Sequence, residues 1–353
     1  MLVVIAFVSS FHFATAEVQI PFWVDEKIKF WANDKISSTD LDTALSWLAD
    51  KNQIAIKSYE KQKISPSFKN YTKSWMNGKI SDSEFFGKVY AELQSGSIQL
   101  TKSGYDKKSY KEHEYSGYSP LFRVFAYKKD FVMDNGIRAP KAMQFEKRSN
   151  QTEAYQKISS DGKDAVVIRP IFTASAYYEP GFYTFYRNEC DSKCLTTTIK
   201  YGQPYGYSGS SNSMKVLRLL GYKEITDIDV DKNPEILSKY KKVIVLHNEY
   251  VTQKEFDAIT KHPHVLYLHP NALYAKISVN YQNDSISLIR GHHYPTKEIL
   301  NGFDWKFDNS KLEYDKTCAN WKFTKIKNGK MLSCYPQNII FSDYRLLKEI
   351  KDY

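Results

Sequence analysis

The sequence predicts an α/β protein with a doubly wound, mostly parallel sheet of the flavodoxin-like kind, preceded by a helical repeat region. Two observations support this prediction. From residue 164 onward, short apolar segments of the kind that form buried strands alternate with amphipathic helical segments. Before residue 100, a Trp-containing segment recurs with a period of 44 residues. The two patterns indicate two different kinds of domain.

The chain of 353 residues is long enough for two or three domains. The shifts in composition along it predict a signal peptide, a pair of helical hairpins, a Lys- and Tyr-rich connector packed on the next domain, and an α/β domain with a β-rich tail. In chain order these are residues 1–16, residues 17–100 with repeats at 20–56 and 64–100, residues 101–163, and residues 164–353.

The first residues resemble a secretory signal. Leu2 to Val8 are almost all apolar, and Ala14-Thr15-Ala16 has the small-residue pattern of a cleavage site. No other stretch reaches the roughly 18 apolar residues of a membrane span. We therefore expect a secreted or cell-surface protein without a transmembrane helix in the mature chain.

The cysteines agree with export, because an even number in an exported chain indicates disulfides. The pairing that is local in sequence joins Cys190 to Cys194 and Cys318 to Cys334, and the other two pairings remain open. A zinc site is the alternative, although the C-x3-C spacing is not the usual one. Sequons at Asn70, Asn150 and Asn283 are candidate glycosylation sites.

The net charge of +10 suits a nucleic acid, an anionic envelope or an acidic substrate. The lysines are spread along the whole chain, however, and no run of five basic residues occurs. This distribution is typical of a solvated surface, so we expect no nucleic-acid partner.

The 44-residue repeat is centred on Trp31 in the first copy and Trp75 in the second. Each Trp is followed by a helix start, with Ser37 three residues before Asp40 and Ser81 three residues before Glu84. Apolar residues then recur at helical spacing, so each copy is predicted to be a helical hairpin with a Trp core. This repeat resembles Trp-containing repeats of archaeal, especially thaumarchaeal, surface proteins.

The α/β region is predicted element by element from its apolar runs and caps. The predicted helices are Ser213–Leu220, Pro234–Tyr240 and a helix capped by Thr252 that runs through Thr260. The predicted strands are Ala165–Phe172, Thr226–Val230, Lys242–His247, Val265–His269, Lys276–Tyr281, Ser285–Arg290, Lys322–Ile326 and Met331–Tyr335, the last two forming a hairpin that turns at Asn328-Gly329.

In a doubly wound sheet, ligands bind beyond the carboxyl ends of the strands. The densest candidate site there is the segment from His247 to Thr252, in which His247, Asn248 and Glu249 follow a buried strand directly. Glu249 is a candidate metal ligand or general base. The alternative is that Glu249 or Asn248 only caps the helix at Thr252, and both interpretations remain open.

Three further segments are candidates for the same edge of the sheet. The loop after the first strand, 173–181, contains Tyr177 and Tyr178, and a later turn presents Tyr205. The segment after the strand beside His247 carries His269, Asn271 and Tyr274. Phenolate and carboxylate oxygens are hard ligands, which suit Fe(III) better than zinc.

These four segments, in this order, resemble the C-terminal domain of the N,N-dimethylformamidase large subunit and its relatives, which has a class I glutamine-amidotransferase-like fold. The resemblance covers residues 165–290. It rests on Ala176-Tyr177, Gln203-Pro204-Tyr205, His247-Asn248-Glu249-Tyr250-Val251-Thr252 and Asn271-Ala272-Leu273-Tyr274.

The resemblance implies one iron ion held by Tyr177, Tyr205 and Glu249, and hydrolysis of the C–N bond of a small amide. His247 or Asn248 would then orient the attacking water or the oxyanion. Tyr178, His269, Asn271 and Tyr274 would line the rest of the pocket.

Three hypotheses about function therefore stand. The first is a non-catalytic cell-envelope protein whose α/β domain binds a small molecule, a cell-surface ligand or a partner. The second is the iron-dependent amide hydrolase. The third is a metal-binding surface protein that uses the histidines between His247 and His293.

Overall fold

The computed structural model describes residues 20–51, 59, 61–101, 107–134, 136–202, 206–305 and 314–353. Its contacts divide the chain into two compact units, residues 1–105 and 106–353. The predicted signal peptide, residues 1–16, lies outside the described residues. In the described part of the chain no helix combines the length and the apolar character needed to cross a membrane.

The described residues of the first unit form four helices arranged as two hairpins. They are α1 (Phe22–Ala32), α2 (Ser38–Lys51), α3 (Pro66–Met76) and α4 (Asp82–Ser95). The indole N–H of Trp31 donates to Ser38 Oγ at 3.2 Å, and that of Trp75 donates to Asp82 Oδ1 at 2.7 Å. Both pairs are seven residues apart and related by the 44-residue period, so the repeat in the sequence is a repeat in structure.

Backbone conformation repeats as well. Each first helix of a hairpin ends in a turn with a residue of positive φ, Asp34 at +59° and Gly78 at +68°. The predicted Trp core is present: Trp31, Trp47 and Trp75 are buried, and Trp75 stacks on Phe85 with ring centroids 4.2 Å apart.

The second unit begins with residues predicted as a connector, and these form strands of their own. Strand β2 pairs with β1 on one side and β5 on the other, and β3 pairs with β4. In chain order the elements are β1 (Glu112–Glu114), β2 (Phe122–Tyr127), β3 (Phe131–Asp134), β4 (Ile137–Pro140), β5 (Gln144–Lys147) and α5 (Thr152–Ile158).

Alternating strands and helices follow, as predicted. They are β6 (Ala165–Arg169), α6 (Ile171–Ala176), α7 (Phe182–Tyr186), β7 (Thr196–Thr198), α8 (Ser211–Leu219), β8 (Lys223–Thr226), α9 (Asp227–Lys232), β9 (Lys242–Val245), β10 (Tyr250–Val251), α10 (Gln253–Lys261), β11 (Val265–Tyr267), β12 (Ala275–Asn280), β13 (Ser285–Arg290), β14 (Phe323–Ile326), β15 (Gly329–Leu332) and α11 (Tyr344–Asp352). The α/β class is thereby confirmed.

The main sheet has six strands in the order β14-β15-β11-β9-β6-β8. The five strands from β15 to β8 pair in parallel, and only β14 is antiparallel to its neighbour. The predicted tail hairpin therefore exists, and its second strand also extends the main sheet. A second sheet has the order β10-β12-β13-β7.

Two predicted strands are wrong in part. Strand β6 stops at Arg169 because Pro170 has no N–H for the ladder, and the predicted strand end and loop beyond it are helix α6. The predicted strand Thr226–Val230 is instead the start of α9. There Thr226 Oγ1 accepts from Asp229 N, and the Asp229 carboxylate accepts from Thr226 N, which is a reciprocal cap that starts a helix.

Other differences concern the type of one helix and the ends of two strands. The segment Pro234–Lys239 is a 3-10 helix rather than an α-helix, and β9 and β11 end two residues before His247 and His269. The cysteines form the two disulfides that are local in sequence, which join Cys190 to Cys194 and Cys318 to Cys334.

Two buried carboxyl groups accept hydrogen bonds at the starts of helices. Asp227 accepts hydrogen bonds from the backbone N–H of Phe172 at 2.7 Å and of Ile228 at 2.9 Å. Glu255 accepts one from Thr252 N at 2.8 Å and completes the cap of α10. Burial raises the pKa of both groups well above their ordinary values, and at Glu255 the charge of Asp227 adds to this effect.

We expect the free energy of unfolding to fall as the pH rises above about 4.5, because a carboxyl with a raised pKa binds its proton more tightly in the folded state. Glu255→Gln removes one such group, so the free energy of unfolding of this variant should fall less as the pH rises. Each pH unit between the unfolded and folded pKa values accounts for about 1.4 kcal/mol. Urea unfolding from pH 4.5 to pH 8 measures this difference, with the exposed Glu235→Gln as control. If the free energy of unfolding falls equally with pH in wild type, Glu255→Gln and Glu235→Gln, the prediction is wrong.

Candidate functional site

The carboxyl ends of three neighbouring parallel strands supply the candidate site. Strand β6 leads through α6 to Tyr177, β9 leads to His247 and Glu249, and β11 leads to His269 and Asn271. Because β6, β9 and β11 lie side by side and run in parallel, these side chains meet at one edge of the sheet, as predicted.

The Glu249 carboxylate is at the centre of the site and is fully buried. Its Oε1 accepts hydrogen bonds from His292 Nε2 at 2.6 Å and from Asn271 Nδ2 at 3.1 Å. Its Oε2 accepts one from the Tyr177 hydroxyl at 2.8 Å, and His247 Nε2 lies 3.1 Å from the same oxygen. Both oxygens are thus engaged by protein groups.

Two neighbouring imidazoles, those of His247 and His292, explain how this carboxylate stays ionised inside the protein. Burial alone would raise its pKa. The charge of His292 and the hydrogen bonds from His247 and His292 outweigh burial and hold the pKa of Glu249 well below its usual 4.5. The site therefore contains a fixed negative charge at neutral pH.

His247 and His269 stack with ring centroids 3.9 Å apart. His247 Nδ1 lies 2.5 Å from the Ser208 carbonyl oxygen, so it must donate there. His269 Nδ1 accepts from Asn271 N at 3.0 Å, and burial, with His247 as a second cause, lowers the pKa of His269 well below 6.5. His269 is therefore neutral, which allows the two rings to stack.

His292 is the functional residue that the sequence pattern failed to place. It follows β13 in a turn where His292 and His293 have φ values of +51° and +63°. Such left-handed conformations cost about 1 kcal/mol or more in a residue with a side chain, and they are concentrated at functional sites. The adjacent Gly291 and the histidine pair are the only sequence signals that point to this turn.

Tyrosines form one wall of the site. The Tyr183 hydroxyl donates to the Tyr177 hydroxyl at 2.6 Å, and the two rings stack at 4.1 Å. Burial raises the pKa of both phenols well above 10, and the Glu249 charge adds to it. Tyr183 lies on α7, in a segment to which the sequence analysis assigned no role.

The other predicted site residues fall into three groups. Tyr274 belongs to the site, because its ring lies 4.7 Å from that of His292 and its backbone N–H donates to the Glu249 carbonyl. Asn248 has a structural contact, accepting from Leu246 N at 3.1 Å. Tyr178 follows α6 and donates its backbone N–H to Ser175. Tyr205 lies outside the described residues.

The iron site that the resemblance implies can be compared with these contacts. Tyr177 and Glu249 are adjacent, but the Tyr177 hydroxyl donates a hydrogen bond to the carboxylate. Both carboxylate oxygens already accept hydrogen bonds from protein groups. The two described members of the implied ligand set, Tyr177 and Glu249, are therefore not arranged to bind an iron ion. Within the described ranges, no group of three or more His, Cys, Asp or Glu side chains has the geometry of a metal site.

No protein-family model matches the chain, and no curated protein matches it.

We expect Glu249→Gln to lower the free energy of unfolding by about 3 to 5 kcal/mol at pH 7, because it removes the buried charge around which Tyr177, His247, Asn271 and His292 are arranged. A depressed pKa stabilises the fold above the unfolded value, so the advantage of wild type over the variant should shrink as the pH falls below 4.5. Urea unfolding at several pH values tests this.

Tyr177→Phe is the matched comparison for that measurement. It removes the hydrogen bonds that the Tyr177 hydroxyl makes with Glu249 and Tyr183 but leaves the contacts of both imidazoles with Glu249, so the expected loss is smaller, about 1 to 3 kcal/mol. If Glu249→Gln is as stable as wild type at pH 7, the buried ion pair is not the interaction that holds the site together.

Proposed function

We propose that residues 106–353 form a small-molecule-binding domain of an exported cell-envelope protein, with Glu249 as the anchor of the ligand site. The buried, ionised carboxylate carries this proposal. A charge fully removed from water is maintained only where several segments of the fold supply partners for it. Tyr177, His247, Asn271 and His292 do so here, from four different segments.

The position in the sheet supports the proposal. Numbered along the chain, the five parallel strands β6, β8, β9, β11 and β15 have the spatial order 2-1-3-4-5, which is the order of flavodoxin-like doubly wound folds. In such folds the ligand lies where the strand order reverses, between the first and third strands. Here these are β6 and β9, which lead to Tyr177 and Glu249.

The described contacts favour binding over the iron-dependent hydrolase. An iron ion would have to displace His247 and His292 from the carboxylate. The 2.8 Å contact between Tyr177 and Glu249 is the observation that favours the hydrolase, since the resemblance to the formamidase domain requires these two residues to meet. The histidine-based metal site depends on the same convergence of His247, His269 and His292.

Ligand binding should raise the melting temperature in a Glu249-dependent way. A compound present at 100 times its dissociation constant stabilises the native state by about 2.7 kcal/mol, or several degrees in a domain of this size. We expect at least one member of a panel of choline, acetate, acetamide and glucose to stabilise wild type and the exposed-site control Glu235→Gln, but not Glu249→Gln. A panel that leaves wild type unchanged contradicts the proposal.

Metal content separates the alternatives. The purified full chain and its Glu249→Ala variant are compared by elemental analysis after reconstitution with iron or zinc. We expect both proteins to retain well under one metal ion per chain. A near-stoichiometric iron content that Glu249→Ala loses would support the amide hydrolase and overturn the metal-independent site. Zinc lost in His292→Ala would support the histidine-based metal protein.

A further inference from the structure

The imidazole of His292 is enclosed by aromatic rings above the Glu249 carboxylate. The ring centroids of Tyr274, Tyr250 and Tyr186 lie 4.7, 5.4 and 5.5 Å from the centroid of His292. The carboxylate lies on the inner side, 2.6 Å from His292 Nε2. We call the three tyrosines and Glu249 the aromatic box.

An aromatic box with a carboxylate at its base has the chemistry of an organic-cation site. Aromatic faces attract a cation that lies within about 6 Å of the ring centroid, and the attraction grows when water is excluded. The buried carboxylate supplies the counter-charge. Asn271 adds an acceptor: its Nδ2 donates to Glu249, while its buried Oδ1 meets no hydrogen-bond partner among the described residues.

His292 lies in the loop of residues 291–300, most of which are exposed. The backbone hydrogen bonds of this loop are formed mainly within the loop. His292 N donates to Leu300 O at 2.8 Å, His293 N to Ile299 O at 2.7 Å, and Gly291 exchanges two backbone hydrogen bonds with Tyr294. About a fifth of the His292 side chain is exposed, whereas the Glu249 side chain is almost completely covered. The His292 side chain can therefore leave the box without breaking the strands beneath it.

We propose that the aromatic box binds a small organic cation, such as a substituted ammonium ion, in the place that the His292 imidazole takes in this structure. The loop 291–300 is then the cover of the site, the hydrogen bond to Glu249 holds the imidazole inside, and the strain of the positive φ values at His292 and His293 favours its release when a ligand takes its place. This inference rests on the proposed small-molecule function and narrows the ligand to one chemical class.

The test compares choline with 3,3-dimethylbutan-1-ol, its neutral analogue of the same shape, by isothermal titration calorimetry on the full chain. We expect choline to bind at least tenfold more tightly than the alcohol. His292→Ala should bind choline at least tenfold more tightly than wild type does, because the internal occupant is gone. Adding Glu249→Gln to His292→Ala should abolish the preference for choline over the alcohol.

Two variants of Tyr186 keep the test decisive if His292→Ala does not fold. Tyr186→Phe retains the ring and should bind choline like wild type, whereas Tyr186→Leu should bind it several-fold more weakly. Equal affinity for choline and the alcohol overturns the inference, and so does equal choline binding by Tyr186→Phe and Tyr186→Leu.

Failure of this inference is distinguishable from failure of the proposed function. If acetate, acetamide or glucose stabilises the protein through Glu249 while choline does not, the site binds small molecules but not cations, and only the inference is overturned. If no compound of the panel binds to wild type, both are overturned.

Discussion

The ion pair between the buried Glu249 carboxylate and the imidazoles of His247 and His292 is the interaction on which the sheet edge depends. An unpaired charge at this depth would destabilise the fold by several kcal/mol, a large share of the stability of a typical domain. Its partners come from the ends of β9 and β13, and hydrogen bonds add the segments after β6 and β11. One carboxylate thus ties together segments that are more than a hundred residues apart in sequence.

Backbone hydrogen bonds determine how the two stacked imidazoles beside Glu249 are protonated at Nδ1. His247 and His269 stack in van der Waals contact, which is tolerable only if one ring is uncharged. The Ser208 carbonyl fixes a proton on His247, and the Asn271 N–H requires a lone pair on His269. The backbone therefore fixes the hydrogen-bonding role of one ring nitrogen in each imidazole. The site acquires its hydrogen-bonding pattern from the loop conformation as much as from residue types.

Much of the fold could be predicted from the sequence because local signals agreed with the tertiary structure. The 44-residue repeat, the cap at Thr252 and the strand Ser285–Arg290 are local features, and all three are present. Errors occurred where one residue outweighed the apolar pattern: Pro170 ended a strand, and Asp229 converted Thr226–Val230 into a helix start. Apolar periodicity carries no information about such single-residue caps.

The candidate site was predictable only where strand ends define it. Tyr177, His247, Glu249 and Asn271 follow parallel strands, so the topological rule was enough to bring them together. His292 and Tyr183 could not be found in this way. His292 belongs to a turn after an antiparallel strand, and Tyr183 lies on a short helix, so their positions depend on long-range packing that no local pattern encodes.

The hydrogen bond from Phe172 to Asp227 has a consequence for how this protein can vary. Asp227 follows β8 and holds the first turn of α6, the helix that ends at Tyr177. The phenol that meets Glu249 is thereby held from two sides, by the anchored start of α6 before it and by Tyr183 after it. An insertion between Tyr178 and Gly181 would displace α7 and Tyr183, while Asp227 would still hold the start of α6, so variation in this segment would change the tyrosine wall of the site before it changes the carboxylate at its centre.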